Sequence, residues 1–323
     1  MKPDSAAAGV GAGLGRVALL LAAAVAFLAF IGLDAGPARA ERAAVSIVGG
    51  KPTTIERWPW QAVALSPERE PKRSPRQRAF CGGSVIAPTV VLTAAHCAAV
   101  IDSASRPDRF TVITGRTNLD QTAVGQEVEV AGIRLPKTLS GIPRYVTSPF
   151  WWDVALIELA RPVTAPAIKV AGPDERDLLR PGRLAFETGW GIRDERQSEM
   201  VAGLRLSRTM IQPARVCDLS LVGVFIGVDR DTQLCLGSPR SRSTTCSGDS
   251  GGPTVVASSA GYRLIGATSL GVNGDCDPAS ASLDAFVAAP DVSEWIRGET
   301  IDLAGVDPVG AGATAPPPPR SCR

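Results

Sequence analysis

The chain of 323 residues contains a single histidine, three methionines, two tyrosines and only 5% aromatic residues. One imidazole excludes any zinc site built on several histidines, including the helical pair of metalloproteases. A large basic surplus is also missing. Lys plus Arg exceeds Asp plus Glu by two, too little to lay down the electrostatic footprint that nucleic-acid binding requires. No C-x-x-C pair occurs among the seven cysteines, so their spacing has to decide between disulfides and a thiolate metal cluster. With 45% apolar and 20% charged residues, the composition is that of one or two globular domains and not of a disordered chain.

The N-terminus carries Lys2 and Arg16, then the apolar run Val17 to Leu33, then Ala38-Arg39-Ala40, with small residues where a signal peptidase reads. Residues 1–40 are therefore read as a secretory signal. The competing reading is an uncleaved membrane anchor, but 17 helical residues reach only about 25 Å, short of a hydrocarbon core of about 30 Å. Export, to the periplasm or outside the cell, places the chain in an oxidising compartment, where cysteines are read as disulfides. No stable membrane span is expected after signal removal.

From Ile47 onward short apolar or alternating runs recur between Gly, Pro and polar turns, among them Glu127 to Leu135, Asp153 to Leu159, Arg183 to Gly191 and Tyr262 to Gly271. This is an all-β pattern. One helix is predicted near the end, capped by Asp291 with Glu294 three residues on and Val292, Trp295 and Ile296 on its apolar face. Residues 299–323 are Gly, Ala and Pro rich and are read as a tail without core-forming content. The segment Ser66 to Arg78 holds five Arg or Lys against two Glu and three prolines, and is read as a solvated surface loop in preference to a docking patch for an acidic partner.

Chemistry concentrates at three places. Gly248-Asp249-Ser250-Gly251-Gly252-Pro253 sets a serine among glycines, where tight turns let a substrate approach backbone amides. A serine becomes a nucleophile only beside a base that a third group orients. Thr93-Ala94-Ala95-His96-Cys97 supplies the one imidazole, and Asp153, leading Val154-Ala155-Leu156-Ile157-Glu158-Leu159, is the candidate orienter.

These three motifs, with Ile47-Val48-Gly49-Gly50 and Trp58-Pro59-Trp60-Gln61, stand in the order found in chymotrypsin-type serine proteases, which the chain resembles from Ile47 to about Ile296. The resemblance implies two six-stranded antiparallel β-barrels with the site between them, a domain over residues 47–298, and no metal or other cofactor. Its substrates would be proteins or peptides, its other binders protein inhibitors, and its form a monomer. His96 would act as general base, Asp153 would hold its tautomer, and the amides of Gly248 and Ser250 would form the oxyanion hole. Cleavage before Ile47, after a short propeptide of residues 41–46, would free an ammonium to pair with Asp249. Ser46 stands where a Lys or Arg usually invites that cut, so either another protease acts or cleavage at Arg42 is followed by trimming. The family's bridges would join Cys81 to Cys97, Cys217 to Cys235 and Cys246 to Cys276, leaving Cys322 over.

In the primary specificity pocket Thr244 stands where trypsins have an aspartate. Ser269, Leu270 and Gly271 match the family's wall, with an entrance open to a large side chain, and Asp284 matches a pocket-base glycine. A basic, or mixed basic and apolar, preference resting on Asp284 is expected, against a neutral pocket in which Asp284 pairs elsewhere. Two readings compete with an active endopeptidase: an inactive homologue used for binding, and an enzyme whose main substrates are esters.

Overall fold

The computed structural model describes residues 47–68, 72–104, 106–146, 150–194, 196–218, 227–237, 243–272, 276–310 and 312. The signal, the propeptide, residues 313–323 with Cys322, and the residues between these spans lie outside them. No helix among the described residues is long and apolar enough to cross a membrane.

After β1 (Lys51–Pro52), the strands β2 (Gln61–Leu65), β3 (Ala79–Ala87), β4 (Val90–Thr93), β5 (Thr111–Thr114), β6 (Gln126–Arg134) and β7 (Ala155–Leu159) close a barrel in the order β2-β3-β4-β7-β6-β5. Closure removes the sheet edges that would otherwise remain unpaired. Val63, Leu65, Val85, Leu92, Ile113, Val128 and Leu156 are buried in it. Following β8 (Lys169–Val170) come β9 (Leu184–Gly189), β10 (Arg205–Ile211), β11 (Gln233–Gly237), β12 (Pro253–Ser258), β13 (Gly261–Gly271) and β14 (Ser282–Ala285). These run β10-β11-β14-β13-β12-β9, and β9 also pairs with β10, which closes a second six-stranded antiparallel barrel. The two-barrel architecture is thus the one the resemblance implied. β1 pairs with β10 and β8 with β13, adding short strands to the second sheet.

The motif Trp58-Pro59-Trp60-Gln61 joins the barrels. The ring of Trp58 lies 5.0 Å from Tyr262 on β13 and 5.7 Å from Phe186 on β9, and Trp60 lies 5.5 Å from Tyr262. Such pairs contribute about 0.5–1.5 kcal/mol each beyond the area they bury. Thr188 donates a hydrogen bond to the buried Gln61 side chain from the other barrel. Three disulfides join Cys81 to Cys97, Cys217 to Cys235 and Cys246 to Cys276.

Among the described residues four α-helices accompany the barrels: α1 (Pro75–Arg78), α2 (Ala95–Ser103), α3 (Ala214–Asp218) and α4 (Pro290–Ala304). Two helix expectations are corrected. α4 is capped at Ala289 without a side-chain hydrogen bond, and Asp291 sits in its first turn. Pro290 at the first helical position pre-sets the backbone and has no N–H to satisfy, so the helix starts there without a polar cap. It also runs past Gly298, and hence past the domain boundary set there, to Ala304, where Gly305 takes the left-handed conformation that ends it. Beyond it, Val309 pairs with Val170, so residues 299–310 belong to the folded body. The basic segment departs from expectation at one residue. Arg78 is 5% exposed and donates to Ser66 O, Thr111, Glu68 and Glu127, because α1, closed by a Ser74–Gln77 capping box, turns it inward.

Candidate active site

β4 delivers the chain into α2, whose second residue is His96. Asp153 sits two residues before β7, the strand paired with β4, so adjacent strands of one barrel bring the imidazole and the carboxylate together. His96 Nδ1 lies 2.8 Å from Asp153 Oδ2, and the His96 backbone N–H donates to Oδ1 at 2.8 Å. Asp153 has no exposed surface, whereas a quarter of the His96 side chain is open. A third donor comes from the second barrel: Ser269 Oγ reaches Asp153 Oδ2 at 2.6 Å. A buried carboxylate needs such donors, since an unpaired one is expensive, and together they fix the ring so that Nδ1 carries the proton and Nε2 faces outward.

Around the histidine, Phe150 stands edge-on to the ring at 5.8 Å. Phe150 and Trp152 both hold positive φ, 65° and 55°, strain that the packed loop sustains beside the site. Burial, with Asp153 nearby, pushes the Tyr145 phenol well up. Cys97 Sγ lies 3.5 Å from His96 Nε2, but it is held in the bridge to Cys81 and is no thiolate ligand. Among the described contacts no hydrogen bond joins His96 to Ser250, and in protein folds of this kind such bonds are often long until substrate is bound.

Ser250 is placed by backbone bonds on either side. Its carbonyl accepts from Gly82 N–H on β3 at 2.7 Å, and Gly251 N–H donates to Thr268 O at 2.7 Å. Gly248 and Gly251 take φ of 94° and 77°. A side chain at Gly251 would strike Thr93 and Gly82 O, so the loop can lie against the first barrel only without one. The N–H groups of Gly248 and Ser250 have no partner among the described backbone bonds.

Asp249 points away from the cleft. It is 1% exposed, and its oxygens accept from Gly191 N–H at 2.8 Å and Cys246 N–H at 3.0 Å. Burial raises its pKa to about 7 against those two bonds, which lower it. Ile47 is fully buried with φ of 39°. The next residue, Val48, accepts from Thr244 N–H at 3.0 Å, five residues before Asp249.

The recess beside Ser250 is lined by Thr245, Ser247, Thr268, Ser269, Leu270 and Gly271 among others and measures about 20 Å³, room for one water-sized group. It is narrower than the open entrance at Gly271 suggested. Ser269 and Gly271 therefore stand where expected. Thr244 is taken up with Val48, and its neighbour Thr245 forms the wall. Asp284, expected at the pocket base, is instead outside that lining: it is fully buried, accepts from Thr254, and is the cross-strand partner of the wall residue Thr268. Sequence reasoning missed Ser269 as a donor to Asp153, and missed Glu187, a second buried acid on β9; a glutamate in a strand of otherwise inward-packed residues was the available signal.

With this geometry in hand, the comparisons are decisive. The family model described as Trypsin matches residues 47–296. The chain belongs to the trypsin family. A venom protease of Bombus pensylvanicus is 31% identical over 231 residues, covering 70% of this chain and 88% of that one. The solved structure of neuropsin, a serine protease expressed in the limbic system of mouse brain, shares the fold with a TM-score of 0.60 at 24% identity, covering 78% of this chain and 98% of that one. As a trypsin-family member the protein is a serine-type endopeptidase, and proteins are its substrate class.

Proposed function

We propose that the protein is an exported endopeptidase in which Ser250 attacks the scissile carbonyl, His96 takes the serine's proton and passes it to the leaving amine, and Asp153 stabilises the imidazolium. The acyl-enzyme that results is hydrolysed by water with His96 again as base. The observation that carries this reading is the Asp153 carboxylate, buried and held by both His96 N–H groups and by Ser269. The free Gly248 and Ser250 N–H groups would stabilise the tetrahedral oxyanion, each such donor being worth about 3–4 kcal/mol.

Activation by cleavage before Ile47 follows from charge. Asp249 is buried with two backbone donors and no cation beside it among the described residues. An ammonium released at Ile47 would supply one, and would hold Gly248 and Ser250 in place by fixing the residue between them. For the primary pocket, Asp284 behind Thr268 supports a basic preference, and the hydroxyl-rich wall supplies acceptors for it.

Labelling of the secreted protein with a fluorophosphonate, with N-terminal sequencing and a Ser250→Ala control, tests the reading. Labelling of a chain beginning at Ile47, absent in the control, is the expected result. A labelled chain that still carries the propeptide would reject the activation step, and an unlabelled chain beginning at Ile47 would bring forward the inactive binding homologue.

A further inference from the structure

Behind the primary pocket lies an acid pair that the triad does not use. Glu187 on β9 and Asp284 on β14 are 2% and 0% exposed, and Thr254 on β12 connects them. Thr254 is the register partner of Glu187, and its hydroxyl donates to Asp284 Oδ2. One oxygen of each acid, Glu187 Oε1 and Asp284 Oδ1, is buried without a hydrogen-bond partner. No ion pair reaches either carboxyl among the described residues. Two ionised carboxylates so placed would each leave an unsatisfied charge in the interior, at a cost the fold does not tolerate. A proton on each acid removes both charges.

The pair communicates with the recess through Thr268. Thr268 lines the recess and is directly opposite Asp284 in the ladder, which puts their side chains on one face. Gly266, two residues before, leaves the space: a Cβ there would stand 3.1 Å from Asp284 Oδ2. The groups facing the pair are acids and hydroxyls. Glu187 meets Ser207, Asp284 and Asp249, and Asp284 meets Thr254 and Asp153. Burial, with Asp284 and Asp249 nearby, pushes Glu187 well up against the Ser207 bond, and burial, with Asp153 nearby, raises Asp284 to about 7 against the Thr254 bond.

We infer that Glu187 and Asp284 together set the pocket's selectivity: each holds a proton while the pocket is empty, and one of the two protons leaves to solvent when a compact ammonium enters, so that preference for lysine over an equally long neutral side chain rises with pH. The inference rests on the active endopeptidase proposed above. An ammonium is water-sized and suits the recess, and Thr268 Oγ, which donates its hydrogen to Gly252 O at 3.4 Å, can accept from it at the ladder position opposite Asp284. At low pH the pair is neutral and the ammonium gains nothing. Once one of the two protons is lost the pair carries a single negative charge that the ammonium balances.

The test is the ratio of kcat/KM for peptides with lysine and with norleucine at the cleaved position, measured from about pH 5.5 to about pH 8.5 on the chain beginning at Ile47. The titration of His96 cancels in that ratio. One linked proton sets a ceiling of about tenfold per pH unit. The ratio is expected to rise at least about tenfold across the range by that linkage, to become flat in Asp284→Asn, and to rise at lower pH in Glu187→Gln, where the neighbouring acid is gone. A wild-type ratio that does not change with pH overturns the inference without recourse to any variant, as does an undiminished rise in Asp284→Asn. Fluorophosphonate labelling of the same samples separates the two failures. A flat ratio in a labelled enzyme sinks only the acid pair, whereas an unlabelled wild type sinks the catalytic reading beneath it.

Discussion

Gly191→Ala should disable the site without touching any residue of the proposed triad. A Cβ at Gly191 would stand 2.5 Å from Asp249 Cγ and 2.7 Å from Oδ1, distances that no adjustment of the alanine can relieve. Asp249 must swing away, and its bonds from Gly191 N–H and Cys246 N–H go with it. Hydrogen bonds to a charged group are worth about 1.5–3 kcal/mol each, so the two together amount to about 3–6 kcal/mol. Since Asp249 lies between the two proposed oxyanion donors, most of this should appear in catalysis, as a fall in kcat/KM of about a hundredfold to ten-thousandfold at one decade per 1.4 kcal/mol. The His96–Asp153 unit, on the other barrel, should keep its geometry. The assay is the second-order rate of fluorophosphonate labelling and of peptide hydrolysis by the chain beginning at Ile47. Gly298→Ala serves as the matched control: it lies inside α4 with open space around it, and should raise stability by up to about 1 kcal/mol without altering either rate. A Gly191→Ala enzyme that labels within a few-fold of wild type would refute the account of how Asp249 shapes the oxyanion hole.

Asp153→Asn should lower kcat by about ten-thousandfold, while Ser269→Ala, which removes one of three donors to the same buried carboxylate, should cost about 1.5–3 kcal/mol; steady-state kinetics on both variants would show whether their effects differ in the order stated. The uncleaved Ser250→Ala precursor should be more stable near pH 5 than near pH 8. Burial raises folded Asp249 to about 7, so the folded chain keeps a proton that the unfolded chain loses above its ordinary value near 4, and stability falls as pH rises through that window. Thermal melts should show a smaller fall in the chain beginning at Ile47, where an ammonium favours the carboxylate. Glu175→Gln should destabilise by about 3–5 kcal/mol in chemical denaturation, because Arg263 is 1% exposed and Glu175 meets its Nε at 2.8 and 3.0 Å.

What could be read from the residues follows the range of the physics that acts on them. The alternating run Glu127 to Leu135 and the apolar run Tyr262 to Gly271 became β6 and β13 within a residue or two, because such patterns record which residues are buried along one strand. They do not record which strands meet, so barrel closure came from the resemblance. Asp291 was taken for a cap because its side chain suits one; Pro290 beside it was the stronger start signal, and Gly305, not Gly298, has the left-handed backbone that ends a helix. Arg78 was counted into a solvated run, since a tally of charges cannot tell a guanidinium in water from one tied to Glu127 across the barrel. Ser269 and Glu187 owe their roles to contacts more than 60 residues away along the chain, to Asp153 and Asp284, and no local pattern encodes those.

The proposed site crosses between the barrels twice. Ser269 of the second barrel donates to Asp153 of the first, and Gly82 of the first donates to the Ser250 carbonyl of the second. Neither half can shift without disturbing the other's part of the chemistry. This explains why the aromatic contacts of Trp58 and Trp60 with Tyr262, and the Thr188–Gln61 bond, sit beneath the cleft. The buried acids divide in a way that matters for control. Asp153 has three donors, whereas Asp249, Glu187 and Asp284, all in the second barrel, have no cation beside them among the described residues. In the proposed mechanism the base and its orienter are thus complete in the folded chain, and the half that would bind substrate and stabilise the oxyanion waits for positive charge. A new amino terminus would bring that charge to Asp249, and a lysine side chain would bring it to Asp284.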